Sequence, residues 1–217
     1  MTVRAWFGIA LAALLLGGCG TSTVKSTKYT PLVQETRALP QSQLLDLGVI
    51  ALEPGLKPKE DDEGARDDTP ATIRNAEGYY LANELRAAIE ASAGWGTVRL
   101  LPSTAPVMDV YVSGRILQSD GETLELEIEA RDSAGQRWFR REYKEVASKY
   151  AYERREAIGR EPFAGLFNRV ANDLLEYRRG LDGAELEKLR TISELRFAAD
   201  FAPESFAGHL HEDRGGQ

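Results

Sequence analysis

The chain has 217 residues, of which 28% are charged, with a net charge of −7, a single cysteine and two histidines. An acidic surface argues against tracking nucleic-acid phosphates and against adhering to anionic lipid by charge. A lone cysteine rules out an internal disulfide, so stability has to come from a packed core.

Residues 1–4 carry one positive charge, Arg4, and residues 5–16 then contain neither a charge nor a proline. A basic start, an apolar centre of about 7–15 residues and small residues at the end form a secretory signal. The run is shorter than the about 20 apolar residues that a membrane-spanning helix needs. Leu16-Gly17-Gly18-Cys19 resembles the lipobox of bacterial lipoproteins. The resemblance implies cleavage between Gly18 and Cys19, a diacylglyceryl group on the Cys19 sulfur and acylation of the new amino terminus. The implied chain is held at the membrane by lipid, with a net charge near −8 once Arg4 is removed. Gly20 follows where enterobacterial inner-membrane retention would commonly place Asp, which by resemblance implies the outer membrane and a periplasm-facing body.

Residues 20–40, rich in Thr, Ser and Lys with Pro31 and Pro40, are expected to be a flexible tether. An apolar, β-branched run over residues 44–52, ended by Glu53-Pro54-Gly55, predicts a buried first strand. Glu60-Asp61-Asp62-Glu63 and Asp67-Asp68 then read as a solvated loop. Thr69-Pro70 starts a helix whose apolar face runs through Ile73, Ala76, Tyr80, Leu81, Leu85, Ala88 and Ile89. Gly94 and Gly96 are expected to stop it, and residues 97–101 to form a short strand. Residues 107–119 are strand-like. Residues 122–131 alternate, with Leu124, Leu126, Ile128 and Ala130 on one side and Glu125, Glu127, Glu129 and Arg131 on a wet face. Residues 137–146 return after a turn, which predicts a meander. Phe163, Leu166, Phe167, Val170, Ala171, Leu174 and Leu175 mark a further helix, broken by Gly180 and Gly183. A last one covers residues 184–201 and is stopped by Pro203.

These elements predict an α+β fold: a mostly antiparallel sheet of about four to five strands, helices on one face, and carboxy-terminal helices besides. The expected divisions are a signal peptide over 1–18, the lipidated cysteine and tether over 19–43, the α+β domain over 44–149 and a helical extension over 150–217. Tyr79-Tyr80-Leu81-Ala82-Asn83-Glu84-Leu85 and Asp109-Val110-Tyr111-Val112-Ser113-Gly114, behind a lipobox, give residues 44–175 a resemblance to Gram-negative envelope proteins. These are the penicillin-binding-protein activator lipoproteins, the curli-secretion lipoprotein, the amino-terminal domain of TolB and the auxiliary lipoproteins of envelope ABC transporters. The resemblance implies a non-enzymatic periplasmic domain that docks on partner proteins.

His209, His211, Glu212 and Asp213 sit together near a glycine-rich end and read as a solvated tail rather than a metal site. The acidic loop lacks the ligand spacing of a calcium site. Neither a phosphate loop nor a nucleophile motif is present in the sequence. No cofactor is therefore expected beyond covalent lipid on Cys19, and no catalytic residue is assigned. Trp138, Arg140, Arg141, Tyr150 and Tyr152 form the candidate partner-binding patch, aromatic rings beside guanidinium groups. The leading expectation is a lipid-anchored scaffold or binding lipoprotein that engages another envelope protein. The second is an auxiliary component of an envelope transporter that handles lipid or another apolar ligand, which a cavity between sheet and helices would favour. An envelope hydrolase is the remote third.

Overall fold

A computed structural model describes residues 22–26, 29–55, 71–102, 107–147 and 161–206. The chain is an α+β protein built on one mixed, mostly antiparallel sheet. In chain order its elements are β1 (Ser22–Ser26), a 3-10 turn (Gln41–Gln43), β2 (Leu47–Ile50), α1 (Ala71–Ala91) and β3 (Val98–Leu101). There follow β4 (Val110–Ser119), β5 (Thr123–Asp132), β6 (Arg137–Val146), α2 (Ala164–Gly180), α3 (Gly183–Phe201) and a short helical turn, α4 (Pro203–Phe206). The strand order is β1-β6-β5-β4-β2-β3.

The three ten-residue strands form the expected antiparallel meander. Its turns are set by Gly121 (φ 83°) and Gly135 (φ 81°), where a side chain would be strained. The flanking pairs are parallel: β2 with β3, β2 with β4, and β1 with β6. Parallel pairing of β2 and β3 follows from their connection, since α1 carries the chain back to the starting end.

Leu124, Leu126, Ile128 and Ala130 are fully buried on the helix-covered face, as the alternation predicts. Leu81, Leu85 and Ile89 of α1 and Leu166, Val170 and Leu174 of α2 close over them in one core. The opposite face is less wet than expected, because its glutamates pair across strands. Glu125 meets Lys144 at 2.7 Å, and Glu127 meets Arg140 at 2.7 Å and Arg115 at 3.0 Å. Glu129 pairs with Arg131 and Arg137. The hydrogen bond from Arg140, with Arg115 nearby, holds the Glu127 carboxyl below its ordinary pKa.

Gly94 and Gly96 do not themselves take the helix-ending conformation. Ala93 holds the left-handed backbone (φ 56°), and the Ser92 hydroxyl donates to the Ile89 carbonyl at 2.6 Å. A glycine is needed in α1 itself. The Gly78 carbonyl accepts the Leu52 amide at 3.3 Å, and a Cβ at Gly78 would run into the Leu52 carbonyl. Gly78→Ala should therefore lower stability by about 1–2 kcal/mol, although alanine is by itself the better helix former by about 1 kcal/mol. Urea unfolding checks this, and a more stable variant would contradict the close approach.

Two expected divisions change. The segment placed in a flexible tether contains β1, and residues 30–37 form a strap across α2. Asn168 Nδ2 donates to the Thr30 carbonyl (2.9 Å), Asn172 Nδ2 donates to the Pro31 carbonyl (3.0 Å), and the Val33 amide donates to Asn172 Oδ1 (2.8 Å). Glu35 then reaches Arg178 (3.4 Å) and Arg179 (3.1 Å), and its amide donates to the Ser92 carbonyl at 2.7 Å. Nor is α2 an extension beyond residue 149. It is the second helix of the layer and shares the core. Only α3 and α4 lie outside that layer.

Candidate functional site

The sheet has two ends, and α3 caps the one at which β2, β3, β4 and β6 begin. Asp182 starts α3 with a reciprocal cap: its carboxylate accepts the Glu185 amide and Glu185 accepts the Asp182 amide, each at 2.8 Å. Three contacts fasten the first half of the helix across this end. The Ser133 hydroxyl, in the β5–β6 turn, donates to the Leu189 carbonyl at 2.6 Å. Arg190 donates to the Leu44 carbonyl at 2.6 Å, and Ser193 meets the Asp109 carboxylate. Asp109 also accepts the Asp46 amide at 2.7 Å, so one buried carboxyl joins β2, β4 and α3. Burial pushes the Asp109 carboxyl pKa up, against the hydrogen bonds from Ser193 and Asp46.

Leu186, Leu189 and Ser193 are buried, but the second half of α3 runs past its support. Phe197 stands about three turns beyond Leu186 on the same side of the helix. It is 59% exposed, and Phe201, one turn further on, is 83% exposed. Their rings lie 5.9 Å apart, and Leu195 is also exposed.

Between α3 and the sheet end lies a groove of about 680 Å³. Its floor is Trp138 with Tyr177, stacked at 4.6 Å and 14°, and Trp95 stands 6.2 Å beyond. Trp138 Nε1 donates to Asp132 at 3.0 Å, which fixes the indole. Val107, Tyr111 and Ala134 line the sheet side, and Ile192, Leu195 and Ala199 line the helix side. Lys188, Arg196, Glu185 and Asp200 complete the lining with charge. An apolar floor with charged groups around it suits a ligand that has an apolar body and a polar end.

The candidate patch read from sequence does not come together as a patch. Trp138 is 7% exposed and belongs to the groove floor. Arg140 lies on the open sheet face against Glu127. Arg141 turns to the helix side, where it pairs with Asp173 at 2.7 Å and lies 5.1 Å from the Phe139 ring centre. Tyr143 donates to the same Asp173 at 2.7 Å, and burial pushes its pKa up. Tyr150, Tyr152, Gly18, Cys19, the acidic loop and the histidine cluster lie outside the described residues. Sequence reasoning missed the groove itself. Its one signal was the apolar content of residues 192–201, which exceeds what a helix supported along its whole length would need to bury.

Among the described residues no cluster of histidine, cysteine, aspartate or glutamate is arranged to hold a metal ion. Nor is any described helix long and apolar enough to cross a membrane. No protein-family model and no curated protein matches the chain. Among solved structures it is similar to the crystal structure of protein XCC0632 from Xanthomonas campestris, described under the family model DUF330. The two are 15% identical over 79% of this chain and 98% of that one, with a TM-score of 0.35, a likeness too slight to bear on fold or function.

Proposed function

We propose that this protein is a lipid-anchored, non-catalytic binding protein of the bacterial envelope whose groove beneath α3 takes an apolar ligand such as a fatty acyl chain. The supporting observation is the groove: about 680 Å³, floored by Trp138 and Tyr177 and ringed by charge at α3. It favours the auxiliary-transport reading of the sequence over simple docking, because a concave groove with an aromatic floor suits alkyl chains better than a flat protein surface does. The anchor is proposed at Cys19, in the outer membrane and facing the periplasm. Cys19→Ala should release the mature protein from sedimenting membranes. The groove is tested by native extraction and mass spectrometry. The full chain should carry non-covalent lipid, and Ala199→Trp, which fills the groove, should lose it while circular dichroism stays unchanged. A wild-type chain that carries no such lipid would refute the reading.

Docking on another envelope protein remains the second reading, and a specific observation favours it. Phe197 and Phe201 are exposed and adjacent, the kind of aromatic pair that anchors interfaces. In-cell crosslinking from α3 would separate the two: a protein partner captured at Phe197 supports docking.

A further inference from the structure

We infer that the occupant of the groove is a single-chain zwitterionic phospholipid, its phosphate on Lys188, its ammonium on Glu185 and its acyl chain laid along α3 toward Ala199. This rests on the reading of the groove as a site for an acyl chain, and names the head that the chain carries. The side of α3 turned to the groove runs Glu185, Lys188, Ile192, Leu195 and Ala199, spaced three or four residues apart, with both charges first and the apolar residues after. Two hydrogen bonds fix what lies opposite. Ser133 to Leu189 sets the β5–β6 turn against the charged start, and Ser193 to Asp109 sets the region before β4 against the apolar stretch. Lys188 to Ala199 spans about 16 Å of helix, a track for an extended chain. A groove of about 680 Å³ is the size of a site for one small ligand, which suits one chain better than two.

The charges at the start of that track match a head that carries both signs. Lys188 and Glu185 stand one turn apart, with their Cβ atoms about 5–6 Å from each other. In a phosphoethanolamine head two carbons separate the phosphate oxygen from the ammonium, a spacing of the same order. Among the described residues Lys188 makes no ion pair or hydrogen bond, so its ammonium is open to a phosphate. Glu185 accepts the Asp182 amide through Oε2 and keeps Oε1 for a second donor. Asp132, the other acid at this end, is committed through both oxygens, to the Gln136 amide at 2.9 Å and to Trp138 Nε1 at 3.0 Å. The lining sets Lys188 and Arg196 against Asp132, Glu185 and Asp200, an excess of negative charge that disfavours a purely anionic head. Arg196, further along, is already engaged, which leaves Lys188 as the partner of the phosphate.

The test titrates the full acylated chain, held in amphipol, with three lipids that share one acyl chain: lysophosphatidylethanolamine, lysophosphatidic acid and monoacylglycerol. Calorimetry should show the zwitterionic lipid binding about fivefold more tightly than the anionic or the neutral one. Lys188→Gln should bring it down to the level of monoacylglycerol. So should Glu185→Gln, whose amide oxygen still caps α3. Lysophosphatidic acid bound as tightly as the zwitterion, or all three bound alike, overturns the choice of head and leaves the groove standing. A preference that survives Lys188→Gln takes the head away from this end of the groove and overturns the assignment. A loss in Lys188→Gln that falls on all three lipids alike marks a structural role and overturns it too. A wild-type chain that binds none of the three removes the groove reading and the inference together.

Discussion

Glu35→Ala should destabilise the protein by about 3 kcal/mol, because removing one partner of a buried ion pair strands the other. The stranded group is Arg178, 1% exposed and the largest fully buried side chain among the described residues. Replacing both partners with apolar residues, Glu35→Leu with Arg178→Met, should cost less than Glu35→Ala alone. The pair also has a pH signature. The Arg179 side chain, then the Arg37 amide, donate to Glu35 and bring its carboxyl to about 2 from 4.5, although burial acts the other way. A carboxyl lowered on folding stabilises the native state fully above its unfolded pKa, and that contribution is lost as the pH falls toward 2. Denaturant unfolding should therefore show wild-type stability dropping between about pH 5 and pH 2. Glu35→Gln should show a shallower fall. Identical slopes in the two proteins would remove Glu35 from the account.

Asp109→Ala should cost about 2–3 kcal/mol, whereas Asp109→Asn should cost less, and its cost should shrink as the pH rises. The Ser193 hydroxyl has one proton and two acceptors in reach, the Arg190 carbonyl at 2.9 Å and the Asp109 carboxylate. Where Asp109 is protonated the competition is relieved, because its own proton can go to Ser193, which then donates onward to Arg190. Asparagine reproduces that pattern, with Nδ2 donating to Ser193 and Oδ1 accepting the Asp46 amide. Alanine leaves the Asp46 amide without its acceptor. The raised carboxyl reverses the sign found for Glu35. Its contribution is complete at pH values below the unfolded pKa and lost as the pH climbs through the folded one. Equal losses for the alanine and asparagine variants across pH would contradict this.

The meander was legible because period-two alternation and two glycine turns both act over a few residues. α2 was legible for the same reason, its stripe from Phe163 to Leu175 being a local pattern. Failures came where distant segments decide. Ser22–Ser26 has no alternation of its own, and β6 alone makes it a strand. The strap is polar in sequence and depends on Asn168, Asn172, Arg178 and Arg179 for its course. Strict alternation along β6 would set Trp138 and Phe139 on opposite faces. A register irregularity pairs Ala130 with Phe139 and Arg131 with Arg137, and the extra residue lets both rings turn inward. Arg140 and Arg141, by contrast, were separable from sequence alone, since neighbours in a strand face opposite ways. The groove draws on the region before β4, the β5–β6 turn, α2 and α3, and no local pattern joins them.

The parallel seam between β1 and β6 also constrains the order of assembly. Synthesis runs from the amino end, so β1 exists long before the strand that receives it. Until β6 has joined the meander, β1 has no neighbour, and afterwards β6 shows a bare flank until β1 is seated. Contacts between such distant parts form late, and open strand flanks recruit other chains. The first strand to be made thus becomes the closing piece, and delay in placing it would surface as self-association of nearly finished molecules.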